Sequence, residues 1–297
     1  MKFIYYISIC FLFLCGNNTN SSKKIKLSNT FKSRVNHPKF NTYWHAGKAE
    51  ITSYQLTQSR YGEIHKGTAV NIYVTEDFLP IKQVKADNKH KSNISVLKLN
   101  STKKFVTGIY PYSIMTSTFS PIINSKKAIK ISFSAQEWCG NTFIQLNNRE
   151  KFDVDFYSYF ESNADKKITL KKDILENELW NILRMNPKKL PIGNINIIPS
   201  FEFLALNHQK IKAYKAETTL EEDTHYLKYS IYYPSLERKL IIKATKEFPF
   251  TIESWEETIS KGGKKLTTKA IKIITIQSKY WNKNGATDTE ERKELGL

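Results

Sequence analysis

Five stretches in the last third of the chain, Lys210 to Glu217, Tyr226 to Tyr233, Lys239 to Ala244, Phe250 to Glu256 and Leu266 to Ile276, alternate polar and apolar residues and are separated only by short polar links. Lys228-Tyr229-Ser230-Ile231-Tyr232-Tyr233 is typical. A period of two puts successive side chains on opposite faces of an extended strand, which excludes amphipathic helices here. Links this short join only antiparallel neighbours, because a parallel pair needs a crossover of a dozen residues or more. The segment is therefore predicted to form a meander, and strands of this length twist and curl.

The first half reads the same way in shorter pieces. Glu50 to Leu56 and Ala69 to Val74 look like a hairpin around Gly62 and Gly67, and further strands are expected at 94–99, 105–110, 128–133, 142–146 and 154–160. One helix interrupts them near residues 173–186: Asp173 and Glu176 resemble a capping box, Leu175, Leu179, Ile182 and Leu183 share a face, and Asn186-Pro187 ends it. Trp180 is placed to anchor it to the sheet. The stretch holding Pro187, Pro191, Gly193 and Pro199 reads as a loop dividing two halves of the domain. The expected fold is mainly β (α+β): a curved antiparallel sheet or open barrel, with one packed amphipathic helix over its concave side or one end.

The chain opens differently. A lysine, an apolar run from Phe3 to Leu14 and then Cys15-Gly16-Asn17-Asn18 form a segment too short to span a bilayer as a mature helix. Residues 1–14 therefore read as a lipoprotein signal peptide and Cys15 as the acylated first residue, although Leu14 stands where a small residue is usual. Each buried acyl methylene contributes ~0.8 kcal/mol, so two or three chains hold a protein at the membrane persistently. Residues 15–43, polar and aperiodic, read as a lipidated tether reaching roughly 30 Å as a flexible coil. The domain is expected over 44–281, with 282–297 as a frayed tail.

A net charge of +18 points to anionic partners, yet the lysines are scattered through the strands. A solvated basic surface explains this better than a nucleic-acid site. Cys10 leaves with the signal and Cys15 is taken by lipid, so Cys139 is the one free thiol and no intramolecular disulfide is expected. No metal-binding spacing and no nucleotide-binding glycine loop occurs, so neither metal nor cofactor is expected. The acidic pairs Glu76-Asp77 and Glu256-Glu257 read as solvated strand ends.

Two patches are candidates for function. Thr107-Gly108-Ile109-Tyr110-Pro111-Tyr112-Ser113 sets two tyrosines about a proline at a strand exit, where their rings can wall a sugar or lipid site. Ser134 to Asn141 contains Glu137, Trp138 and Cys139 between two strands. If Tyr110, Tyr112, Glu137 and Trp138 converge, they make a binding cleft. Cys139 beside an aromatic ring is more often a small buried residue than a nucleophile, and no histidine is near it in sequence to act as its base.

Trp44-His45-Ala46-Gly47-Lys48-Ala49-Glu50, Arg60-Tyr61-Gly62-Glu63, Val74-Thr75-Glu76-Asp77-Phe78, Thr107 to Ser113 and Gln136-Glu137-Trp138-Cys139-Gly140 resemble an uncharacterised Bacteroidota lipoprotein family over most of residues 44–258. Some members are labelled septum formation inhibitor of the Maf type, but the Ser-x-Ser-Pro-Arg-Arg loop of those pyrophosphatases is absent here. The resemblance implies class and location and carries over no catalytic residue. The tether lacks the acidic run of surface-exported relatives, which implies an outer-membrane lipoprotein facing the periplasm. Its membrane contact is then the acylated Cys15, and its expected role is non-enzymatic binding of a lipid, glycan or envelope protein. The alternative is a periplasmic hydrolase using Cys139 or a carboxylate pair.

Overall fold

A computed structural model describes residues 37–123 and 127–297, so the expected signal peptide, Cys15 and the expected tether up to residue 36 lie outside the described residues. The first strands are β1 (Ala49–Arg60), β2 (Glu63–Leu79), β3 (Val84–Lys85), β4 (Ile94–Thr107), β5 (Tyr110–Pro121), β6 (Lys130–Glu137), β7 (Gly140–Asn148), β8 (Phe152–Ser158) and β9 (Lys166–Leu170). Then follow β10 (Ile174–Leu175), β11 (Gly193–Ile198), β12 (Tyr214–Glu222), β13 (Tyr226–Tyr233), β14 (Arg238–Thr245), β15 (Ile252–Lys261) and β16 (Lys264–Ser278). Among the described residues four α-helices accompany them: α1 (Phe40–Trp44), α2 (Glu176–Met185), α3 (Phe201–Leu206) and α4 (Glu290–Glu294). None is long and apolar enough to cross a membrane among the described residues.

All sixteen strands belong to one open, curved sheet in the order β10-β11-β12-β13-β14-β15-β16-β1-β2-β4-β5-β6-β7-β8-β9, with β3 paired to β2. Every pairing is antiparallel except the two-residue match of β10 with β11. The last strand joins the first in the middle of the sheet, in a register running from Ala49↔Ser278 to Thr57↔Lys269.

The sheet closes around α2. Side chains of this helix hydrogen bond to Glu50 on β1, Leu97 on β4, Ser120 on β5, and Tyr233 and Arg238 on β13 and β14. Strands β13 to β5 are eight neighbours in the sheet, roughly 34 Å across if flat at the usual interstrand spacing. A single helix ~10 Å wide reaches all of them only if the sheet wraps it. The helix thus lies on the concave side, where the main core also sits.

The expected α2 was an amphipathic helix with one apolar face. Leu175, Leu179 and Leu183 are indeed buried, but so are Glu176, Glu178, Asn181 and Arg184. Burial on every side is tolerable because most of the polar groups are partnered, with Asn181 Oδ1 an exception. Asn181 Nδ2 donates to Leu97 O at 2.9 Å, and Glu178 Oε2 accepts from the Ala128 amide at 2.6 Å. Glu178 also reaches back to the Leu175 amide, so it, rather than Glu176, closes the helix start.

Other boundaries move as well. The Pro187–Pro199 stretch does not divide two halves, since it carries β11 in the same continuous sheet. Residues 94–107 form one strand instead of two, and Gly67 lies inside β2, because the hairpin turns at Tyr61-Gly62. The domain also starts before Trp44: Phe40 of α1 is in the core and His37 stacks on Phe248 at 4.3 Å. At the other terminus α4 docks instead of fraying, and Leu295 packs with Ala49, Ile51 and Val74 on the outer face of the sheet.

Candidate functional site

Alternating strand direction sorts the connections to two ends of the sheet. At one end lie the tight turns Tyr61-Gly62, Gly108-Ile109, Trp138-Cys139 and Gly262-Gly263. Tyr61 and Gly62 both have positive φ, 53° and 82°, the backbone that a two-residue hairpin with matched twist requires. At Gly140 any Cβ would meet the Tyr159 ring at 2.6 Å, so glycine there lets the next hairpin pack close. These turns form a mouth, and α3 crosses beneath it with Ser200 capping its first turn through the Phe203 amide.

The predicted aromatic residues do meet. Tyr110 lies 5.9 Å from Tyr112 and 6.3 Å from Trp138, ring centre to ring centre. Tyr112, however, is only 2% exposed and stacks on Phe105 at 4.8 Å, so it belongs to the core and not to an open wall. Its hydroxyl emerges at the mouth, 2.7 Å from that of Tyr61. The outward aromatic surface is therefore Tyr61, Tyr110 and Trp138. Glu137 accepts the Cys139 amide at 2.7 Å, stabilising its own turn.

Cys139 is exposed, contrary to the expectation of a buried thiol, because a two-residue hairpin tip has no interior. Its hydrogen bond to Glu137, together with the carboxylate's charge, pushes the thiol above its ordinary pKa, the reverse of what a nucleophile needs. Among the described residues no histidine hydrogen bonds to it: His45, His65, His90 and His208 are engaged with Ser95, Arg60 O, Ser92 and Asn163. No group of three His, Cys, Asp or Glu side chains is arranged to hold a metal among the described residues.

Arginine organises the interior and the mouth. Arg184 on α2 lies over Trp44 and Tyr73 at 5.0 and 4.6 Å, and its two terminal nitrogens grip Glu50, each at 2.6 Å. Arg238 on β14 lies over Phe203 and Tyr233 at 4.3 and 5.2 Å and holds Glu176 in the same forked way, with Glu257 on its Nε. All four partners Glu50, Arg184, Glu176 and Arg238 are at most 2% exposed as side chains. Glu257 is thus no solvated strand end, and Glu76 likewise takes Lys98 at 2.6 Å. Burial by itself would raise the Glu176 carboxyl, but the charge and hydrogen bonds of Arg238 outweigh it and hold the group below its ordinary pKa.

Arg60 repeats the arrangement with one element missing. It lies over Tyr61 and Tyr112 at 4.4 and 5.5 Å, donates to Leu206 O at 2.7 Å, and faces the two tyrosine hydroxyls at 3.4 Å. No carboxylate pairs with it among the described residues. Beside it opens a cavity of about 410 Å³ whose walls include Arg60, Tyr61, Phe203, Leu206, His208 and Leu266. Glu202 and Glu257 line both this cavity and a narrow inner one of about 60 Å³ under α2. Both acids are already neutralised, Glu202 by Lys103 at 2.6 Å and Glu257 by Arg238.

The tyrosines stand out in the sequence by their place about Pro111, and Arg60 does not. The scarcity of arginine is a signal, since only six of the 46 basic residues are arginine and, among the described residues, three of them lie over aromatic rings. Compared with protein-family models, with curated proteins and with solved structures, the chain matches none of them.

Proposed function

We propose that this protein is a non-enzymatic binding protein of the cell envelope, tethered through an acylated Cys15 to the outer membrane and facing the periplasm. Its ligand is an amphiphile or glycan carrying an anionic group. The observation that carries this reading is Arg60: three arginines are sandwiched between aromatic rings, two are closed by a buried glutamate, and the one at the mouth is not. A guanidinium presents a planar fork suited to carboxylate or phosphate, and its two aromatic neighbours hold that fork in place. Tyr61, Tyr110 and Trp138 then offer ring faces to the apolar or sugar part. The apolar signal run, the resemblance to a lipoprotein family and the polar tether support the anchoring.

Native mass spectrometry of protein purified from its own membranes tests the ligand. The parent is expected to carry an anionic small molecule that Arg60→Gln loses, affinity falling on the order of 10- to 100-fold for one charge-assisted pair. A parent that carries nothing, or an Arg60→Gln protein that keeps its ligand, overturns the reading. Metabolic fatty-acid labelling tests the anchor: label is expected on the parent and absent from Cys15→Ala.

A further inference from the structure

The end of the sheet opposite the mouth has a different chemistry. Four of its connections, 80–93, the described parts of 122–129, 149–151 and 171–173, hold three acidic residues, Asp87, Glu150 and Asp173, while the turns 223–225 and 246–251 add Asp223 and Glu247 and the segment after β16 adds Asp288, Glu290, Glu291 and Glu294. Against them stand the exposed Lys82, Lys89, Lys91, Arg149, Lys171 and Lys172, none of which is paired with a carboxylate among the described residues. The loops are tied into one surface, since Arg149 donates to Ile81 O at 3.3 Å and Lys172 to Arg149 O. A groove of about 830 Å³ opens between them, with Ile94, Ile123 and Ile129 along it and Lys127, Arg149 and Lys172 at its edge. Ile81 and Ile123 project beside it, 83% and 54% exposed.

The chain enters the domain at this same end. α1 leads directly into the start of β1, and His37, the first described residue, stacks on Phe248 in the turn between β14 and β15. The first described residue, His37, therefore lies on the basic side of the domain.

We propose that this end docks on an anionic lipid surface, with lysine and arginine at the headgroups and Ile81 and Ile123 at the interface. Cationic side chains beside exposed aliphatic tips are the combination such a surface selects. The mouth then opens away from the bilayer. The inference requires neither a ligand at Arg60 nor acylation of Cys15.

The test is co-sedimentation of the full chain carrying Cys15→Ala with two kinds of vesicle, phosphatidylcholine alone and phosphatidylcholine mixed with phosphatidylglycerol. The apolar residues 3–14 act on both, so the reading is the increment on anionic vesicles. That increment is expected to disappear in high salt. It is also expected to fall roughly 10-fold or more in Arg149→Gln/Lys172→Gln and again in Lys89→Gln/Lys91→Gln, a second pair of exposed residues that, unlike the first, does not tie the loops together. Tyr61→Ala/Trp138→Ala is expected to leave it unchanged. Equal binding to both vesicles, insensitivity to both charge variants, or loss only in the Tyr61→Ala/Trp138→Ala protein would overturn the proposal. Its failure would leave the ligand measurement on Arg60 untouched.

Discussion

The interior of the sheet and its mouth use the same device to different ends. In the interior, Arg184 and Arg238 each lie between two aromatic rings and each meet a glutamate from another element, β1 in one case and α2 in the other. The mouth supplies Arg60 with its two rings and a backbone carbonyl, but no acid. A buried charge must be neutralised by the fold itself, whereas a half-buried one at an opening can be left for something arriving from outside. The difference separates Arg184 and Arg238, each closed by a glutamate, from Arg60, which has no carboxylate partner among the described residues.

The comparison breaks most visibly if an interior glutamate is removed. Glu50→Ala leaves Arg184 buried without a counter-charge and is expected to cost about 3 to 5 kcal/mol, read from denaturant melts. The joint replacement Glu50→Leu/Arg184→Met is expected to recover much of that loss, because two apolar side chains of similar volume need no compensation. If the single and double replacements melt alike, the pair is not what fixes α2.

Acid provides a second test of the interior. The Glu176 carboxyl in the fold lies below its ordinary 4.5, so folding favours its ionised form. That contribution is complete above the ordinary carboxylate range and is lost as pH falls through the lowered folded value. Melting temperature is thus expected to drop with acid below the ordinary range. Part of the slope should be missing in Glu176→Gln/Arg238→Met, and identical profiles would remove this pair from the acid response.

At the mouth the expected stability effects are smaller. Arg60→Gln should cost about 1 to 3 kcal/mol, less than removing Glu50, since it loses hydrogen bonds to neutral acceptors and two ring contacts but strands no buried charge, while its ligand affinity falls. A large loss of stability there would make Arg60 a third structural arginine and erase the contrast. Smallest of all is Cys139: because Glu137 holds the thiol in its neutral form, Glu137→Gln is expected to speed alkylation by iodoacetamide at mildly alkaline pH. An unchanged rate would show that the carboxylate does not govern the thiol.

Much of the sheet was legible because strands with one buried face announce it in alternation: residues 226–233 coincide with β13, and 239–244 fall inside β14. Legibility failed where the environment is not one-sided. β11 is a short run, Gly193-Asn194-Ile195-Asn196-Ile197-Ile198, hidden among prolines, and α3 is a hexapeptide, apolar but for Glu202, too short to reveal a face. In α2 the leucines gave the helix away, but its buried acids and arginine read as a solvated face, since sequence does not show that Glu50 and Arg238 come to meet them. The tyrosines were visible as a pair around Pro111, whereas Arg60 lies 52 residues from its partner Tyr112 and only the register of β1, β2, β4 and β5 unites them.

The seam between β16 and β1 bears on how this chain is made. Thr52 and Thr275 touch across it although 223 residues separate them in sequence. During synthesis β1 to β9 can pair in order as they emerge, yet β1 remains an open edge until the strand at the far end of the chain arrives. Glu50 waits on that edge for Arg184 as well. Contacts so distant in sequence make folding slow, and the half-built sheet exposes an unpaired edge and a concave apolar face while it waits. The interval before the final strand joins is when this protein most needs protection from aggregation.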